Sequence, residues 1–170
     1  MLDYCRVKAG RNEASLFADP DFRTALTHCR WQVYLAALSD MAALAEAWLR
    51  PAADGAGATE ALAEGLVALH AAALGETPPP EAEAEAARAM AAALPGHLAG
   101  LRLVPPHPAN LLPLLAEAPL FATLPIHADQ RRGEGPAIRG ALRFHVVSTQ
   151  QEMERRFDRV ALAHHLMNRR

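Results

Sequence analysis

The chain has 170 residues, enough for one domain with its own core, and its 17 basic against 19 acidic residues give a net charge of −2, which counts against a protein that coats nucleic acid. Hydrophobic residues make up 51%, but 38 residues are alanine and aromatic residues reach only 5%, which suits closely crossing helices better than a β-sandwich. No stretch approaches the roughly 18 uninterrupted apolar residues of a spanning helix, so a cytoplasmic protein without a membrane segment is expected.

The charge is uneven along the chain. Residues 51–100 hold one Arg against seven acids, whereas residues 101–170 hold ten Arg against six acids. Lys8 is the only lysine, and together with the alanine excess this points to the codon bias of a GC-rich bacterial genome rather than to guanidinium chemistry. The first ten residues, MLDYCRVKAG, include Asp3, Arg6 and Lys8 and predict no secretory signal. Cys5 and Cys29 are too few and too isolated for a disulfide framework or a thiolate metal site, and read as small core residues.

In chain order, the first clear element is a long helix over residues 20–50. Asp19 can cap it, Pro20 suits its first turn and Pro51 stops it. Phe22, Leu26, Cys29, Val33, Ala37, Leu44 and Trp48 recur at helical spacing, and Trp31, Tyr34, Leu35 and Leu38 widen that face. A helix apolar around so much of its girth is expected to be central to the fold or to dimerise. A second helix opens near Thr59, with Leu62, Leu66, Leu69 and Ala73 on one side and Gly75 as its stop. After the stiff ETPPP segment, EAEAEAARAMAAALPG has high helix propensity, and its thin stripe of Met90 and Leu94 predicts an outer helix.

Seven prolines between Pro105 and Pro136 predict an irregular segment, with ANLLPLLAEA as a short helix and GLRLV and PLFATLPIH as extended pieces. Two readings compete for residues 136–168. One is an uninterrupted helix with Ile138, Leu142, Val146, Met153, Phe157 and Val160 on its inner face. The other is a strand, ALRFHVV, paired with LFATLPI in a small β-hairpin, followed by a helix capped at Thr149 with Glu152. The helix is favoured because no third strand is evident. The expected fold is therefore mainly α, a helical bundle of about five helices around a long central helix, with a proline-rich irregular segment and a small β-hairpin as the alternative at residues 141–147, all in a single domain over residues 1–170.

The eight histidines form no i, i+3 or i, i+4 pair, so no metal site and no cofactor is predicted. Phosphate-binding loops, nucleophile elbows and metalloprotease signatures are absent, and none of Ser15, Ser39 and Ser148 lies in a glycine-flanked turn. One constellation suggests anion binding: in HADQRRGEGPAIRGALRFH, Arg131, Arg132, Arg139 and Arg143 could clamp an oxyanion, with His127 and His145 as further hydrogen-bonding groups. The expected function is non-catalytic binding through helix-mediated self-association, as a homodimer, or through a protein partner. An enzyme or sensor for a small anionic ligand at residues 127–145 is the alternative, and a nucleic-acid role is disfavoured by the acidic middle of the chain.

Overall fold

The computed structural model describes residues 13–55, 57–126 and 128–168, so Cys5 and the N-terminal charges lie outside the described residues. Among these the chain forms seven α-helices and no strand: α1 (Glu13–Ala18), α2 (Pro20–Leu49), α3 (Ala58–Glu76), α4 (Ala84–Leu101), α5 (Glu117–Thr123), α6 (Ala128–Arg156) and α7 (Arg159–Met167). No described helix is long and apolar enough to cross a membrane.

Helix α2 begins as its sequence predicts. The Asp19 carboxylate accepts the backbone N–H of Asp21 at 2.8 Å and of Phe22 at 3.3 Å, and Pro20 fills the first position, where no N–H is needed. The helix ends in a 3₁₀ turn, Arg50–Ala52, around Pro51. Helix α3 follows Gly57, whose φ of 76° lies in the left-handed region that favours glycine.

All six other helices touch α2. Its second half forms the larger core: Leu44, Trp48 and Leu49 meet Leu62 and Leu66 of α3, Leu94 and Leu98 of α4, Val146 of α6, and Ala163 and Leu166 of α7. Its first half forms a smaller core, in which Phe22, Leu26 and Cys29 meet Leu120, Leu124 and Ile138. Helix α7 lies close against α3 because Gly65 has no side chain: a Cβ there would stand 2.5 Å from the carbonyl oxygen of Leu166.

Several expectations are corrected. The β-hairpin does not form, since LFATLPI contributes to α5 and ALRFHVV lies inside α6. Thr149 does not cap a helix; its hydroxyl donates to the His145 carbonyl one turn back at 2.9 Å, within α6. Pro136 does not start α6 but sits inside it. The helix ends at Arg156, and Asp158 caps α7 by accepting the Ala161 N–H at 2.8 Å, so residues 136–168 are two helices rather than one.

Helix α4 is an outer helix with one buried side, Ala87, Leu94 and Leu98. It rests on both α2 and α3 and continues through Pro95 to Leu101, which brings Leu98 into the core. On α3, Leu69 faces solvent and His70 takes the inward position.

Candidate functional site

The buried carboxylates of α2 hold the chain together. Asp40 of α2 accepts the N–H of Leu115 at 2.7 Å and of Ala116 at 3.0 Å, which satisfies backbone donors just before α5. Burial pushes the Asp40 carboxyl above its ordinary range, opposed by the Ala116 and Leu115 hydrogen bonds and by the charges of His97 and Arg143. Glu46 is fully buried and receives two hydrogen bonds from Arg50, from Nε at 2.8 Å and from Nη2 at 2.7 Å. Arg50 also donates to the carbonyls of Val104 and Leu101, which fastens the end of α4. None of these groups is available to a ligand.

The arginines predicted to clamp an anion are distributed differently from that expectation. Arg139 and Arg143 lie one turn apart on α6, but Arg139 pairs with Glu117 and lies over the Phe121 ring, 5.0 Å from its centroid. Arg143 donates to the carbonyls of Ala109 at 3.1 Å and Leu112 at 2.6 Å, tying α6 to the proline-rich segment. His127 and the side chains of Arg131 and Arg132 lie outside the described residues. His145 is exposed and its ring meets that of Phe144 edge to face.

His145 marks a different feature. On one side of it, α2, α5 and α6 leave an apolar groove of about 240 Å³, walled by Val33, Leu120, Leu124, Ile138 and Leu142, with the exposed Ala141 at its edge. On the other side the same face of α6 continues as an open trough of about 380 Å³ past Thr149, Glu152 and Met153 to Arg156 and Phe157. At 1.5 Å per residue the stretch from Ala137 to Arg156 is roughly 30 Å long. It changes from apolar to polar at His145 because α2 and α5 cover only its first part.

Large apolar side chains stand exposed beside the open part: Phe144 is 69% exposed, Phe157 51% and Val160 55%. The charges over residues 152–160 balance, with Glu152, Glu154 and Asp158 against Arg155, Arg156 and Arg159. Glu152 itself is held by Arg155 at 2.7 Å and Arg156 at 2.8 Å, and these hydrogen bonds lower its carboxyl below the ordinary range.

Among the described residues no three His, Cys, Asp or Glu side chains come together as metal ligands. No family model, no curated protein and no solved structure matches this chain.

Sequence reading placed Phe157 and Val160 on the inner face of a continuous helix, and the break at Asp158 turns them outward. The groove was not visible in sequence, because it needs Val33, Leu120 and Leu142 from three elements. Helical spacing does place Ile138, Leu142 and His145 on one face of α6, and that was the usable signal.

Proposed function

We propose that this chain is a non-catalytic interaction protein, a cytoplasmic helical bundle built around α2, that self-associates through the α6 face. The expectation from sequence put the interface on the wide apolar girth of α2, but much of that girth is used inside the fold. The observation that carries the present reading is the exposure of Phe144, Phe157 and Val160 along the open trough that continues the apolar groove past His145, with balanced charges over residues 152–160.

A balanced charge pattern suits a second copy better than a strongly charged partner, because a two-fold interface sets each patch against itself. An antiparallel pair of α6 helices with its two-fold between Gln150 and Gln151 brings Phe157 of one copy level with Phe144 and His145 of the other. That is the mouth of the groove. An aromatic anchor entering a preformed apolar pocket is the usual centre of such an interface.

Light scattering coupled to size-exclusion chromatography tests this. The wild-type chain elutes as a dimer, Phe157→Glu as a monomer, and Ala141→Trp, which fills the groove from an exposed position, also as a monomer. A monomeric wild type, or an A141W variant that dimerises like wild type, refutes the proposal.

A further inference from the structure

Two abutting depressions lie on the exposed side of the first half of α2, away from the α6 trough. The larger, of about 640 Å³, is walled by Arg23 and His28; the second, of about 450 Å³, by Trp31 and Tyr34; and Thr27 lines both. The link between α3 and α4 closes them on the other side, with Pro80 along the first and Thr77 along the second.

The polar half is built rather than incidental. Glu83, one residue before α4, is buried, and its two oxygens each accept one bond: from His28 Nδ1–H at 2.6 Å and from Gln32 Nε2–H at 2.7 Å. With both carboxylate oxygens accepting, the Nδ1 proton is fixed on the imidazole and Nε2 is the ring nitrogen left for the cleft, on a side chain that is 51% exposed. Arg23 lies five residues before His28 and is exposed, and it makes no ion pair with the described residues.

The other half presents rings. Trp31 and Tyr34 meet edge to face, with centroids 5.5 Å apart and planes at 89°, and each is only partly covered. The helical rise sets Trp31 about 4.5 Å along the axis from His28 and about 12 Å from Arg23. A ligand filling both depressions therefore carries a flat ring at one end and an oxyanion at the other, joined by a short polar spacer at Thr27.

We infer that this double depression binds a nucleoside 5′-monophosphate, its phosphate between Arg23 and His28 and its base against Trp31 and Tyr34. The guanidinium takes two phosphate oxygens in its planar fork. Nε2 of His28 meets a third oxygen through one proton, carried either by the ring or by the phosphate. The base contributes stacking that does not depend on its identity, because every base has a π-face.

Titration calorimetry of the full chain with AMP and UMP, and with adenosine and inorganic phosphate as half-ligands, decides the matter. Both nucleotides bind, each half-ligand binds at least about tenfold more weakly, and Arg23→Ala weakens both nucleotides about tenfold while leaving adenosine unchanged. The Arg23 side chain makes no hydrogen bond or ion pair with the described residues, so a melting curve of this variant matching wild type separates binding from folding. Trp31→Ala weakens adenosine as well. Absence of binding by either nucleotide to cooperatively melting protein, or equal nucleotide affinity of R23A and wild type, overturns the assignment. Neither result bears on self-association through α6, since Arg23 and Trp31 line no part of the α6 groove or trough.

Discussion

The Glu46–Arg50 pair gives a stability prediction whose sign depends on which partner is removed. Glu46 is fully buried and among the described residues its only hydrogen-bond donor is Arg50, whereas Arg50 is 13% exposed and has two further acceptors, the carbonyls of Val104 and Leu101. Arg50→Met therefore leaves a buried carboxylate with no donor. Stranding one member of a buried pair costs about 3–5 kcal/mol, which for a chain of this size lowers Tm by about 6–20 °C.

Glu46→Met leaves a guanidinium that still holds two carbonyls and reaches water, so it should cost less, about 1–2 kcal/mol. The double variant removes both charges and fills their space with apolar atoms, and its loss is largely that of the two carbonyl bonds, about 1 kcal/mol. Urea denaturation of the four proteins at neutral pH closes the cycle. The order of loss is R50M, then E46M, then the double variant. Finding E46M less stable than R50M, or the double variant's loss equal to the sum of the singles, refutes the assignment of Glu46 as the dependent partner.

His70 is buried, and burial lowers its pKa below the ordinary value of about 6.5. A depressed folded value means that its contribution is present above the unfolded pKa and is lost as pH falls through the folded one. Wild type should thus lose stability relative to His70→Leu as pH falls below about 6.5, and parallel stability curves from pH 7 to pH 5 would exclude a buried neutral imidazole. Gly65 and Gly100 separate packing from propensity. Alanine at Gly100 meets nothing within 4 Å and should stabilise by about 0.4–1 kcal/mol, whereas Gly65→Ala drives a Cβ to 2.5 Å from the Leu166 carbonyl oxygen and should destabilise by about 1–3 kcal/mol. Thermal melts of the two variants check both signs.

Where local chemistry decides an element, the sequence was a sufficient guide. Asp19, Pro20 and Pro51 set the ends of α2, and Leu62, Leu66, Ile138 and Val146 are buried at their predicted spacing. It misled where long-range contacts override local preference. Alanine-rich α4 does lie on the outside, but Pro95 does not stop it, and Leu98 beyond Pro95 completes its buried side against α2 and α3. The run Val146–Thr149 looked strand-like, but Val146 is held in the main core by α6 and Thr149 spends its hydroxyl on the helix. The acids at Asp40, Glu46 and Glu83 gave no sign of burial, because their partners lie in distant segments or, for Glu46, because an i, i+4 pair is usually a surface feature.

Helix α2 therefore carries two different duties along one continuous element. Of the fifteen residues from 35 to 49, eleven are buried, against three of the fifteen from 20 to 34. The second half is the part that other helices enclose, and it contains the buried Asp40 and Glu46, whose hydrogen bonds fix the approach to α5 and the end of α4. Among the described residues, α1, α5 and α6 cover the first half at Phe22, Leu26 and Cys29, while Arg23, Thr27, His28 and Trp31 line the depressions beside the link to α4. The second half anchors α4, and Glu83, the residue just before α4, is the one that aims His28. The geometry of the open half thus depends on the buried half through α4 rather than on local contacts along α2.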